Sequence, residues 1–377
     1  MRICLYTATA LPKLGGQEAV VDSLARHFLR LGHEPVVLAP HPRRPLRARD
    51  SDLPYPVVRH PRFISTRDFV GWYRVFLSRL HRRYRFDVIH CHDVYPTGYL
   101  AALGKANSGV PLIITSHGGD VRENNPRLER GGIPQRMLLA LRHADVLVSI
   151  APFTEQNFRR LYPDAKRIVT IPNGIDLAPY EAAAPRPGSL DPAIVAGQYV
   201  LFLGRLARRK GVDVLLEALA RTPVAGAGVQ LVVAGSGDDQ AELEAKTNAL
   251  GLGNRVRFVG RVEGAEKLYL LQNAIAVVMP SRVWEAFPLV VLESFAAGKP
   301  VIGTRVPGIA DLVEEGTTGW LFGDENAEEL SQALRRVLAD PGAAAGLGDA
   351  ARGIARGYSW EAIAAKHVAL YRETVGQ

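Results

Sequence analysis

The stretch YVLFLGRLARRKGVDVLLEALA, residues 199–220, decides the fold. It opens with a continuous apolar run, short enough for a strand buried on both faces. Gly204 and Gly211 bracket a basic turn, after which apolar residues recur at helical spacing. The reading is a strand at 199–203 and a helix at 211–220. A second apolar run follows at 230–234. A strand, a helix and a second strand over this length make a parallel crossover, and successive crossovers build a sheet covered on both faces.

Working outward, the rhythm continues with a helix at 239–250 and strands at 256–259, 275–279, 300–303 and 320–322. Upstream, EAAAPRPGSLDPAIVAGQ at 181–198 carries three prolines and little periodicity, the composition of a linker. Before it the alternation recurs, with strands at 2–6, 36–39, 88–90, 112–115, 146–149 and 168–171. The helix expected at 17–31 carries Val20, Leu24, Ala25, Phe28 and Leu31 at helical spacing and stops at Gly32. The expectation is α/β, with a first domain at 1–179, a linker at 180–198 and a second domain at 199–357. A terminal helical segment at 358–377 lies beyond a kink at Tyr358 and Ser359. Ligands of open α/β sheets bind beyond the carboxyl ends of the strands. Two such sheets facing one another would form a cleft.

Composition narrows the class. The 377 residues are 47% hydrophobic and 22% charged, ordinary for a globular protein. Cys4 and Cys91 are the only cysteines, which excludes a disulfide scaffold and a cysteine-rich zinc site. No apolar run reaches the ~18 residues of a membrane span. The N-terminus opens directly into a strand, so a reduced, cytoplasmic protein is expected.

Four stretches can carry chemistry. In GRLARRKG, Arg205 and Lys210 flank a turn beside a helix N-terminus, where free N–H groups and the helix dipole favour a diphosphate. In PSRVWEAFPLVVLESFAAGKP, residues 280–300, a helix is expected to start near Pro288. Glu285 then lies in the preceding loop and Glu293 on the second turn, with the N–H groups of Leu289 and Val290 free. A buried glutamate grips vicinal hydroxyls such as those of a ribose. In TSHGGDV, His117 and Asp120 follow a strand's carboxyl end. The pair Gly15 and Gly16 allows a backbone to approach a phosphate. GSGDD at 235–239 is only part of a dinucleotide fingerprint, and its acidic pair would repel a pyrophosphate. Asp50-Ser51-Asp52 has the form of a metal-binding DxD but sits in a Pro- and Arg-rich loop.

The order and spacing of these marks resemble the retaining, GT-B-fold glycosyltransferases of family 4. LGGQE at 14–18, SHGGD at 116–120, IPNGID at 171–176, GRLARRKG, FVGRV at 258–262, the paired glutamates and YSWEAIAAKHVALY at 358–371 carry the resemblance over essentially the whole chain. It implies two Rossmann-like domains. It also implies hexosyl transfer from a UDP- or GDP-sugar to a saccharide or lipid-linked acceptor, with retention and no cofactor or essential metal. By the same resemblance, Arg205, Lys210, Gly16, Leu289 and Val290 meet the diphosphate. Glu293 and Val262 meet the nucleoside. His117 and Glu285 are catalytic, and Asp120, Gly15 and Asn173 lie on the acceptor or sugar side. The last helix is expected to return to the first domain. Many relatives have glycine at the position of Pro288, so the sugar contacts there must come from Phe287, Leu289 or Val290. A sugar-nucleotide epimerase and a non-catalytic nucleotide-sugar binder are the alternatives.

Net charge is +8, and it is uneven. The segment from Arg43 to Arg85 holds 12 arginines, no lysine and 3 aspartates, leaving the rest of the chain close to neutral. From Arg67 to Arg85 the arginines interleave with Phe69, Trp72, Tyr73, Phe76 and Tyr84. Such a helix suits an anionic membrane face, with a merely solvated arginine face as the alternative. No recognition motif accompanies the charge to indicate nucleic acid.

Overall fold

The computed structural model describes residues 1–10, 16–42, 50–61, 70–122, 125–222 and 230–376. The chain forms two compact units, residues 1–174 with 360–377, and residues 175–359.

In the first unit β1 (Arg2–Tyr6), α1 (Gly16–Arg30), β2 (Glu34–Pro40), β3 (Val57–His60), α2 (Val70–Tyr84) and β4 (Val88–Cys91) come first. They are followed by α3 (Tyr99–Ser108), β5 (Leu112–Ser116), α4 (Ile133–His143), β6 (Val146–Ser149), α5 (Pro152–Leu161) and β7 (Ile168–Thr170). The seven strands are ordered β3-β2-β1-β4-β5-β6-β7, and every pairing is parallel. The strand order reverses between β1 and β4. Their central residues are buried on both faces, His90 of β4 included.

The second unit contains β8 (Val200–Leu203), α6 (Val212–Ala220), β9 (Leu231–Ala234), α7 (Gln240–Ala249), β10 (Val256–Gly260) and α8 (Gly264–Asn273). Then come β11 (Val277–Met279), α9 (Leu289–Ala296), β12 (Val301–Thr304), β13 (Gly319–Phe322), α10 (Ala327–Ala339) and α11 (Pro341–Arg356). Its six parallel strands run β10-β9-β8-β11-β12-β13, reversing between β8 and β11. The Ala- and Gly-rich stretch after Asp340 is one continuous helix, because the Asp340 carboxylate caps it by accepting from Ala343 N at 2.9 Å.

The last helix, α12 (Trp360–Val375), belongs to the first unit and packs with α1. Trp360 lies so close to Gly174 that a Cβ there would stand 2.6 Å from the indole.

The expected linker at 180–198 is a correction. The division falls at 174/175 and at 359/360, and residues 180–198 are part of the second unit. Leu190 and Ile194 are buried in its core. Arg186 Nη1 donates to Ile194 O at 2.8 Å and its guanidinium lies over the Tyr269 ring. Ala184 N donates to Gln272 Oε1 at 2.7 Å. The prolines signal the lack of helix and strand, not a lack of packing. Gly15 and residues 62–69, with Arg67 and Phe69 among them, lie outside the described residues.

Candidate active site

In each unit several of the residues singled out by sequence lie where the strand order reverses, the place where an open α/β sheet leaves a crevice. In the second unit this point lies beyond β8 and β11. After Leu203 the chain passes Arg205 and makes a single 3₁₀ turn, Arg208–Lys210, closed by Gly211 at φ 65°. A Cβ on Gly211 would stand 1.9 Å from Pro280 O, so only glycine lets this turn pack on the end of β11. The turn delivers Lys210 Nζ to 2.7 Å from Glu285 Oε1. Ser281 Oγ donates to the same oxygen at 3.0 Å, and Arg209 Nη1 reaches it at 3.2 Å.

The backbone of Glu285 is fixed as well. Its N–H donates to Pro307 O at 3.0 Å, and its carbonyl packs on Gly308, where a Cβ would come within 1.7 Å. Arg282 braces the basic turn from behind. It donates to both oxygens of Asp213 at 2.7 Å and to Arg208 O at 2.8 Å. These charge-assisted bonds to Asp213, followed by the contact with Glu325, raise its pKa.

Beside this cluster is a cavity of 330 Å³. Gly204, Arg205, Gly235, Ser236, Val262, Lys267, Val290 and Glu293 line it. Four of the expected residues, Arg205, Val262, Val290 and Glu293, therefore share one wall system. Arg205 is exposed and has no ion pair among the described residues. Glu293 sits on the second turn of α9, and Lys267 Nζ lies 2.5 Å from its Oε1. Pro288 caps α9 from the extended region and offers no side-chain acceptor. The helix's first backbone bond is Val291 N to Pro288 O at 2.9 Å, which leaves the N–H groups of Leu289 and Val290 outside the ladder. Cations and free N–H groups around one small cavity are what an anionic ligand requires.

In the first unit the reversal lies beyond β1 and β4. Gly16 opens α1, is exposed, and a Cβ there would meet nothing among the described residues within 4 Å. Gln17 Nε2 donates to His92 O at 2.8 Å and to Thr7 Oγ1 at 3.0 Å, tying the start of α1 to both strand ends. His117 is half-buried, and its Nε2 lies 3.2 Å from His92 Nδ1. Burial holds the His117 pKa down at about 4, against the opposing charge of Glu18.

Asp120 ties its own loop to the segment that leaves β4. Its Oδ2 accepts from Val94 N at 2.7 Å and its Oδ1 accepts from Ser116 Oγ. Asp93 accepts from Thr97 N at 2.9 Å and Ala8 N at 3.2 Å, and burial lifts its pKa to about 6. Asn173 is buried near the unit's end and makes no hydrogen bond to His117 or Asp120 among the described residues. Asp50 of the DxD-like triplet is held by Arg59 through bonds of 2.6 and 2.9 Å. Among the described residues no three His, Cys, Asp or Glu side chains converge as a metal ion would need.

Comparison with known proteins agrees with this layout. The family described as glycosyl transferases group 1 matches residues 195–354, and glycosyltransferase family 4 matches residues 14–179. Glycogen synthase of Mycobacterium tuberculosis is 31% identical over 299 residues, which cover 77% of this chain and 69% of that protein. The chain belongs to the family 4 glycosyltransferases. Phosphatidyl-myo-inositol mannosyltransferase of Mycolicibacterium smegmatis is 27% identical over 388 residues, covering 100% of this chain and 95% of that one. The crystal structure of Anabaena HepE in complex with UDP has the same fold, with a TM-score of 0.80, 21% identity, and coverage of 99% of this chain and 100% of that one. The architecture is thus GT-B, built of two Rossmann-like parallel-sheet units.

Several residues beside the expected ones carry no clear mark in the sequence. Lys267, Arg282 and His92 each act through a partner far away in the chain: Glu293, Asp213 and His117. For His92 a signal was present. The run HCHD at 90–93 puts two histidines and an aspartate at one strand's carboxyl end.

Proposed function

We propose that this glycosyltransferase moves a hexose from a nucleoside diphosphate sugar, UDP- or GDP-linked, to a hydroxyl of a saccharide or lipid-linked acceptor. The transfer retains the anomeric configuration and uses no metal. The observation that carries this reading is the shared cavity of Arg205, Val262, Val290 and Glu293 beside the Lys210–Glu285 pair. The UDP held by the Anabaena structure and the mannosyltransferase name of the mycobacterial relative support the donor class.

In this reading Arg205, Lys210 and the N–H groups of Leu289 and Val290 receive the diphosphate. As the bond to the sugar breaks, negative charge grows on the distal phosphate, and pre-placed donors stabilise it without reorganising. This is the role a metal serves elsewhere. Glu293 accepts from the ribose hydroxyls, and Val262 offers its backbone to the base. Glu285 acts next to the donor sugar. No second carboxylate is needed as a nucleophile if the leaving phosphate takes the acceptor's proton on the same face. In the first unit Gly16 leaves room for a phosphate, His117 faces the sugar side, and Asp120 shapes the loop that carries His117. Among the described residues no helix is long and apolar enough to cross a membrane. We place the enzyme in the cytoplasm, with the exposed arginines of α2 meeting the anionic inner face of the membrane.

The test is a binding screen of UDP, GDP and ADP, followed by turnover with the matching sugar nucleotides in EDTA. Product formation that persists in EDTA, with the anomeric configuration kept, is expected. Abolition by EDTA with rescue by magnesium or manganese would overturn metal independence. An epimer formed without acceptor would favour the epimerase reading.

A further inference from the structure

At the carboxyl end of β4 lies a largely buried chain of imidazoles. His90 and His92 rings are 4.4 Å apart, His90 and His367 of α12 are 5.3 Å apart, and His92 and His117 are 5.5 Å apart. The last two rings are within 15° of parallel, yet their nearest nitrogens are 3.2 Å apart. A 5.5 Å centroid separation with so short a nitrogen contact places the rings edge to edge in nearly one plane. That is the alignment of a straight N–H···N hydrogen bond, not of face stacking.

The direction of this bond follows from what each ring does with its other nitrogen. A neutral imidazole has one N–H and one lone pair. His92 is almost wholly buried, and among the described residues its Nε2 has no hydrogen-bond partner. If His92 Nδ1 were the acceptor, the His92 proton would sit on Nε2 as an orphaned buried donor. Orphaned buried N–H groups are rarer in proteins than under-satisfied acceptors. If Nδ1 is instead the donor, Nε2 keeps only an unused lone pair. The His92 backbone is held separately: its N–H donates to Tyr6 O at 2.9 Å and its carbonyl accepts from Gln17.

We infer that His92 is a positioning residue: it donates from Nδ1 to His117 Nε2 and thereby fixes His117 as the Nδ1–H tautomer, a hydrogen-bond donor on the edge turned away from His92. The hydrogen bond at one ring nitrogen decides what the other offers. His117 Nδ1 has no partner among the described residues, so this donor is available to a ligand. The inference rests on the reading of His117 as a sugar-side residue. It deepens that reading by making His117 a donor to a hydroxyl or carbonyl oxygen of the substrate, and not a base that removes a proton.

The test is long-range ¹H–¹⁵N correlation NMR of the full chain with ¹⁵N-labelled histidine at pH 7, with His117 assigned by its loss in His117→Ala. The expected spectrum shows His117 protonated at Nδ1 and acceptor-like at Nε2. Free neutral histidine favours the opposite tautomer, so this result would not arise by default. A His117 protonated at Nε2 overturns the inference, whatever the activity. In His92→Phe, the His117 signal should shift toward the Nε2–H form. Turnover should then fall about tenfold, the loss of one oriented hydrogen bond, with affinity for UDP or GDP unchanged. An unaltered His117 tautomer in that variant also overturns it. Should the variant fail to fold, the spectrum of the unmodified protein still decides. Absence of any glycosyl transfer with the Nδ1–H tautomer observed would sink the functional reading and leave the positioning intact.

Discussion

Lys210 and Glu285, 75 residues apart in sequence, form an ion pair of 2.7 Å between two loops that leave adjacent strands. Both side chains are largely shielded, with 14% and 12% of their surface exposed. If Lys210 receives the diphosphate as proposed, this pair holds its ammonium in a fixed place. Lys210→Ala should weaken UDP or GDP binding by about 10- to 150-fold, the value of one charge-assisted contact of ~1.5–3 kcal/mol. Glu285→Ala frees the same ammonium. It should leave nucleoside diphosphate affinity equal or higher while turnover collapses. Calorimetric titration of both variants checks this, and a matched loss of affinity in the two would refute the division of roles.

Glu293 and Lys267 pose the converse case. If Glu293 Oε2 is the oxygen left for the ribose, Glu293→Ala should weaken the nucleoside diphosphate strongly. Lys267→Met removes only the partner that holds Oε1 at 2.5 Å. It should weaken the same ligand by less, within about tenfold, since one net hydrogen bond is worth ~0.5–1.5 kcal/mol. Both variants should bind inorganic pyrophosphate as the unmodified protein does. A loss of pyrophosphate binding in either would move these residues to the diphosphate.

The contrast between these pairs shows what the sequence discloses. Arg205, Lys210, Glu285 and Glu293 were legible because each lies within a few residues of a strand or helix end that the apolar pattern marks. Strand ends at a reversal of order converge in any sheet of this topology. Lys267 was not legible, because it comes from α8, and only the packing of α8 against α9 brings it to Glu293. Likewise, nothing local in HCHD says that His92 turns toward His117 across the β4–β5 pairing. The segment 180–198 failed for another reason. Its two core anchors, Leu190 and Ile194, flank Pro192 in a stretch that forms neither helix nor strand, and a single apolar pair is too short for a pattern to mark.

The imidazole chain predicts a steep acid limit. Burial lowers the pKa of His90, His92, His117 and His367, the last two to about 4 and about 3. Their unfolded values lie near 6.5. Below that pH the unfolded chain binds protons that the folded chain refuses, so this stability is complete above about 6.5 and drains as pH falls. Each histidine contributes roughly 1.4 kcal/mol per pH unit within its window. Asp93, raised to about 6, works in the opposite sense: its contribution is full below its unfolded value of 3.8 and gone by about 6. Glu18 beside His117 offsets part of that shift. Four histidines against one aspartate leave a net loss on acidification. Urea unfolding at pH 7.5, 6 and 5 should show falling stability, with a shallower slope in His367→Phe. Equal stability at pH 7.5 and 5 would contradict it.

The exposed face of α2 carries the last prediction. Arg74, Arg79, Arg82 and Arg83 are exposed, while Tyr73, Leu77 and Leu80 are buried in the first unit's core. The helix therefore spends one face on packing and leaves its charge outward. Trp72 and Val75 are also exposed, at 38% and 49%, which gives the outer face an apolar end that could enter an interface. Each arginine near an anionic surface is worth ~1 kcal/mol, fading within a Debye length of ~8 Å at physiological salt. Reversal of the four arginines to glutamate should abolish sedimentation with vesicles containing anionic lipid, and high salt should release the unmodified protein. Affinity for UDP or GDP should not change, because the residues assigned to the nucleotide belong to the other unit. Trp72→Ala with the arginines intact should weaken binding in a way that salt does not mimic. If the unmodified protein ignores anionic vesicles even at low salt, the outward arginines are only a solvated face, and the acceptor is to be sought among small soluble molecules.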